Sequence, residues 1–92
     1  MPRRNRIDII ESILFLLSSN KNMKPTHLMY RANLSNVQMK GYLEELTKKG
    51  FIKKISNREK GTYTLIITLK GIKFREKIKE MREFEEVFGL EK

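Results

Sequence analysis

Asn36, Val37, Lys40, Gly41 and Glu44 recur at steps of one, three and four residues inside the stretch Ser35–Gly50. At helical periodicity they share one side. Their chemistry is that of base and backbone recognition. Asparagine can pair with adenine, valine can cover a thymine methyl, glutamate can accept from cytosine, and lysine can reach a base edge or a phosphate. Lys40 is the strongest candidate for a contact. Cations suited to phosphate neutralisation lie around them: Lys24 and Arg31 before the stretch, Lys48 at its end, and Lys54, Arg58 and Lys60 after it. Thr26 and Ser35 stand at expected helix starts, where a hydroxyl can bond a phosphate or simply cap the helix. Gly41 weakens a helix interior by about 1 kcal/mol relative to alanine. Close approach of a sugar-phosphate backbone would account for it, and so would neutral drift. Arg3, Arg4 and Arg6 form a basic arm, either a phosphate or minor-groove contact or a solubilising terminus.

Catalysis finds no support in the sequence. There is no nucleophile–base pairing, no glycine-rich phosphate loop after a strand and no cluster of metal ligands. The lack of cysteine excludes disulfides and thiolate metal sites. His27, the one histidine, reads as a surface residue in a helix. Glu44-Glu45 and Glu85-Glu86 are sequence neighbours, so on helices they point apart and read as solvated charge. The expectation is a protein that is no enzyme, with no cofactor, no metal and no small-molecule ligand.

Twenty Lys and Arg face 11 Asp and Glu, for a net charge of +9. Residues 1–69 hold 13 basic and 5 acidic residues, and residues 70–92 hold 7 and 6. The excess therefore sits with the candidate recognition stretch. Nucleic acid is the first partner such a balance implies, and an anionic membrane surface the second. No apolar run reaches the ~18 residues of a spanning helix. An intracellular, cytoplasmic protein associated with the nucleoid is expected. Ninety-two residues make one domain that buries roughly 60–65% of its unfolded surface, a modest core that a partner subunit would help.

The elements that must position these residues follow from local signals. Ser35 and Gln38 form a capping box, and Gly50 suits a left-handed C-terminal cap after Lys48 and Lys49. Met39, Tyr42, Leu43 and Leu46 mark the buried side of the helix between them. A first helix is expected from Ile7 to about Ser18, with Asp8 in its first turn and Ile10, Ile13, Leu14 and Leu17 at helical spacing. Ile9 and Leu16 widen its apolar surface, so it must be covered on two sides, one by the domain body and the other by another helix such as the C-terminal one. Pro25 opens a short second helix to about Ala32. Leu28, Met29 and Ala32 face inward, and Asn33-Leu34 turns into Ser35. After Gly50, Phe51–Ser56 and Thr62–Ile67 read as strands joined by the polar turn Asn57–Gly61. Tyr63, Leu65 and Ile67 alternate inward. A helix-turn-helix followed by a basic hairpin is a winged helix-turn-helix of order α-α-α-β-β-α, an α+β fold.

Thr68 can cap a last helix from Leu69 to about Phe88. Ile72 or Phe74, then Ile78, Met81, Phe84, Val87 and Phe88 give a narrow apolar seam flanked by charge. Twenty residues span about 30 Å, longer than so small a domain lays against itself. The seam points to pairing between chains, with Phe74, Ile78, Met81, Phe84, Val87 and Phe88 as the homodimer interface. The alternative is a helix folded back onto the first helix within one chain. The chain thus divides into a winged helix-turn-helix with a basic arm over residues 1–68 and a dimerisation helix over residues 69–92.

Met29-Tyr-Arg-Ala-Asn-Leu-Ser35, Tyr42-Leu-Glu-Glu-Leu46, Lys49-Gly-Phe-Ile52 and Thr68-Leu-Lys-Gly71 with Phe74 resemble a family of small archaeal winged-helix proteins. That family includes the 10a-type chromatin-associated DNA-binding proteins and related transcriptional regulators. The resemblance covers about Ile7–Phe88. It implies a homodimer joined by an antiparallel coiled coil of the C-terminal helices, with recognition helices and wings presented to double-stranded DNA. The chain departs from the family pattern at Leu69, where a charged residue is usual, and at Glu85, which interrupts the seam. Tyr30 lies in the resembling block and reads more readily as a core residue than as a contact. The expected function is double-stranded DNA binding, as a transcriptional regulator or a chromatin-associated protein. The competing one is a protein-interaction module on a winged-helix frame without DNA binding.

Overall fold

The computed structural model describes residues 5–89, so Arg3 and Arg4 of the arm lie outside the described residues. In order, the elements are α1 (Arg6–Ser19), α2 (Pro25–Ala32), α3 (Asn36–Lys48), β1 (Ile52–Asn57), β2 (Thr62–Ile67) and α4 (Leu69–Val87). α1 begins one residue earlier than its apolar period suggests, because Asn5 and Asp8 form a reciprocal capping box. β1 begins one residue later, because Phe51 belongs to the cap of α3. Its N–H bonds Leu46 O at 2.9 Å, and the N–H of Gly50 bonds Thr47 O at 3.0 Å. This is a Schellman closure, and Gly50 supplies its left-handed residue at φ +81°.

Ile13, Leu14, Leu28, Leu46 and Leu65 are fully buried and make the centre of the core. The two strands pair antiparallel from Ile52↔Ile67 to Asn57↔Thr62. Met23, in the loop before α2, adds an isolated bridge to the other edge of β2, with N–H···O bonds to and from Leu65 of 3.1 and 2.8 Å. The wing is thereby tied to the loop that carries Lys24.

α1 is indeed covered on a second side by α4. Ile78 is buried, the Arg75 guanidinium lies 5.0 Å over the Phe15 ring, and Arg82 pairs with Asp8 and, at 3.3 Å, with Glu11. This corrects one residue of the expected interface. Ile78 is only 3% exposed and belongs to the core of its own chain. Phe74 is half-buried and stacks on Phe51, with centroids 4.3 Å apart and planes 2° from parallel. In the first half of α4, Gly71 and Ile78 are thus engaged within the chain, while Leu69 and Ile72 stay exposed. Met81, Phe84, Val87 and Phe88 remain exposed, Phe84 at 57% and Phe88 at 65%. No helix of the described residues is long and apolar enough to cross a membrane.

Candidate nucleic-acid interface

α3 is held by its ends and its inner side. Ser35 Oγ accepts from Gln38 N at 3.2 Å, and Gln38 Oε1 accepts from Ser35 N at 3.0 Å. Ser35 therefore serves as the cap, whatever else it touches. Met39, Leu43 and Leu46 are buried and Tyr42 is half-buried. That fixes the opposite side: Asn36, Val37, Lys40, Gly41, Glu44 and Lys48 all face solvent. Val37 is 81% exposed, a large apolar group left in water beside a lysine. Lys48 lies in the last turn, about three turns and 18 Å along the helix from Asn36. It stands one turn beyond Glu44 on the same side, far from Asn36 and Val37.

The helix-turn-helix is closed by Asn33, which takes the left-handed conformation at φ +56°, and by Leu34, buried between the helices. Thr26, His27 and Arg31 of α2 are exposed. Tyr30 departs from expectation: it is 78% exposed and no part of the core. On an eight-residue helix, Leu28 and Ala32 already fill the buried side. Tyr30 and Arg31 therefore stand together as surface groups within the resembling block.

Lys24, Arg58 and Lys60 line one groove of about 560 Å³, with Asn22, Ile55, Thr62 and Thr64. The Met23 bridge is what brings Lys24, far off in sequence, to the wing tip. Thr62 and Thr64 add hydroxyls to the same groove and Glu59 a carboxylate, contributions the sequence does not announce. Lys54 is exposed, and its Nζ lies 4.8 Å over the Tyr63 ring, a cation–π contact that holds it against the hairpin.

Arg6 departs from the expected basic arm. It opens α1 rather than belonging to a free arm, and its guanidinium pairs with Glu45 of α3. That hydrogen bond, helped by Lys49 at 3.3 Å, holds the Glu45 carboxyl below its ordinary range. Arg6 thus secures α3 to α1 and lines a cleft with Val37, Gln38, Gly41, Tyr42 and Glu45. Gly41 opens into that cleft, and an added Cβ meets nothing within 4 Å. Gly41→Ala should therefore raise stability by about 1 kcal/mol and Tm by about 4–8 °C. It should at the same time weaken duplex binding, since the methyl occupies the space a backbone would use. Thermal denaturation and a DNA titration of the same variant check the two effects separately. Unchanged affinity would leave drift as the reason for the glycine.

Among the described residues, no group of three or more His, Cys, Asp or Glu side chains is placed to hold a metal ion. The surface offers cations, hydroxyls and amides on a convex helix with a flanking hairpin, which suits a polyanion with regularly spaced charges.

The comparisons agree with this geometry. No curated protein sequence matches the chain significantly. Among solved structures, Sso10a-2, a DNA-binding protein from Sulfolobus solfataricus, is 25% identical, with a TM-score of 0.78 over 92% of this chain and 85% of its own. The transcriptional regulator BldR from the same organism is 20% identical (TM-score 0.73, 88% of this chain and 60% of that one). The PcaV transcriptional regulator of Streptomyces coelicolor is 16% identical (TM-score 0.75, 86% and 57%). These last two share the fold, and the chain spans about three-fifths of their length. The sequence pattern of the winged helix-turn-helix family matches residues 3–86. In line with the archaeal winged-helix resemblance drawn from the sequence alone, the chain belongs to the winged helix-turn-helix family.

Proposed function

We propose that the chain is a homodimeric double-stranded DNA-binding protein, paired through α4 and acting as a transcriptional regulator or a chromatin-associated protein. The observation that carries the proposal is the exposed side of α3. Asn36, Val37, Lys40 and Glu44 face solvent together, beside a wing whose Arg58 and Lys60 share a groove with Lys24. Side chains at the start of α3 read base edges in the major groove, and the wing and Lys24 grip phosphates. With so few readers on α3, grip exceeds reading. Titration against a random duplex and against a duplex selected for binding, at matched salt, tests this. The expected ratio lies at or below the lower end of the ~10³–10⁷ span of specific binders. A ratio near one eliminates the regulator and leaves the chromatin role.

The dimer rests on the exposed apolar end of α4. Burying two such side chains contributes about 1.5–3 kcal/mol each. Phe84→Glu combined with Val87→Glu should therefore weaken the dimer at least about a hundredfold, leaving α1–α3 and the wing folded. Sedimentation at micromolar concentration checks it. A monomeric wild type, or a dimer unmoved by the double change, would contradict pairing through α4.

A further inference from the structure

The first turn of α1 and the middle of α3 enclose a cleft of about 300 Å³, lined by Arg6, Val37, Gln38, Gly41, Tyr42 and Glu45. Val37, Gly41 and Glu45 lie on successive turns of α3. The cleft therefore opens onto the side of α3 proposed to meet DNA. Its charges are unevenly shared. One oxygen of Glu45, Oε2, accepts from the Arg6 guanidinium and also pairs with Lys49 Nζ at 3.3 Å. Two cations thus share a single carboxylate, and the trio keeps one positive charge in excess. The cations are also the outer members. The Arg6 and Lys49 side chains are 58% and 57% exposed, and that of Glu45 only 24%. Gln38 commits its Oε1 to the Ser35 cap, so its amide N–H donors remain for a further partner. Gly41 leaves the wall bare, with open space where a Cβ would stand.

We propose that this cleft seats one phosphodiester group of the duplex, and that Arg6 exchanges Glu45 for that phosphate when DNA binds. The seat rests on the DNA reading above and adds a phosphate site on α1, outside the helix-turn-helix and the wing. Releasing Arg6 costs little, because an ion pair between such exposed groups is weak. Lys49 stays on Glu45, so the carboxylate is not left unpaired. The new contact is stronger than the old one. A guanidinium can grip a phosphate through two parallel N–H···O bonds, and each phosphate neutralised releases counterions from the duplex. Gly41 lets the sugar-phosphate strand come close to the helix backbone. The rim also selects the duplex over a free anion. Val37 is an apolar group that a sugar can cover and a small anion cannot.

Salt-dependent titration of a random duplex with variants of the pair tests the exchange. Arg6→Gln should weaken binding about tenfold and lower the magnitude of the salt slope by about 1 for each protomer that engages. Arg6→Lys keeps the charge and should keep the slope. Glu45→Gln should tighten binding about threefold when Arg6 is present, since no pair has to be broken, and should change nothing in the Arg6→Gln background. Circular dichroism verifies that each variant is folded. Simple repulsion between Glu45 and DNA would make Glu45→Gln tighten binding equally in both backgrounds. A purely structural staple would make Glu45→Gln weaken it. Either result overturns the seat, and so does an unchanged slope in Arg6→Gln. Inorganic phosphate supplies a last arm. If it raises the wild-type Tm more than chloride does at the same ionic strength, and fails to do so in Arg6→Gln, the site is one for free anions and the assignment to the duplex is overturned. Where the wild type binds DNA with a steep slope and these variants fail, only the seat falls. A wild type that binds no duplex removes the DNA reading and the seat together.

Discussion

Gly71→Ala should destabilise the protein by about 3 kcal/mol or more and lower its Tm by roughly 10–20 °C. A Cβ at this position would lie 2.1 Å from Phe51 O and 2.8 Å from Ile67 Cγ1. The first neighbour is backbone and cannot rotate away. It is also engaged, accepting from Thr68 N at 3.0 Å. Thr68 Oγ1 in turn donates to Gly50 O at 2.6 Å and accepts from Gly71 N at 3.0 Å. These bonds lock the start of α4 onto the Schellman cap of α3. An added methyl must push α4 off that corner, losing hydrogen bonds of about 1 kcal/mol each and loosening the packing around Ile78. Thermal or denaturant unfolding checks the result. The contrast with Gly41→Ala is part of the prediction: of two helical glycines, one substitution stabilises and the other is severely damaging. A mild effect at Gly71 would mean that α4 is not seated so closely.

Lys40→Glu combined with Arg58→Glu should lower duplex affinity about 100- to 1,000-fold near 0.1 M salt and reduce the salt slope by about 2 for each protomer that engages the duplex. Each change removes one cation from the face toward DNA and adds a repulsive carboxylate. The two come from different elements, α3 and the wing tip, so a large combined loss requires that one ligand spans both. Both side chains are exposed, so the fold should be untouched, as circular dichroism can verify. Fluorescence anisotropy against a labelled random duplex measures the loss. Full affinity in the double variant would favour the protein-interaction reading.

Much of this was legible in the sequence, and the physical reasons differ from part to part. α3 is readable because both its ends carry local signals: the Ser35–Gln38 box and Gly50 each act within a few residues. The wing is readable because Asn57–Gly61 separates two β-branched runs. Asn5 and Asp8 carry the same capping signal at the usual spacing for α1, and reading that signal finds the true start. Other features depend on contacts that no local pattern encodes. Arg6 meets Glu45 across 39 positions in sequence, and Met23 meets Leu65 only once the fold is made. The seam of α4 is only partly legible because apolar residues at steps of three and four fit two adjacent stripes equally well. Only the position of α1 decides that Ile78 turns inward and Met81 outward. Tyr30 is not legible as a surface residue because an aromatic residue in a short helix looks like core, whereas Leu28 and Ala32 suffice to fill the inner side.

The central claim is that this surface grips double-stranded DNA through its cations. The affinity of the wild-type protein for a random duplex, measured from about 50 to 300 mM salt with the protein mass determined alongside, tests it most directly. Binding at low salt should weaken steeply, with a log–log slope of magnitude at least about 5 for a dimer in which each protomer contributes several phosphate contacts. No binding at 50 mM salt, or an affinity indifferent to salt, would contradict it.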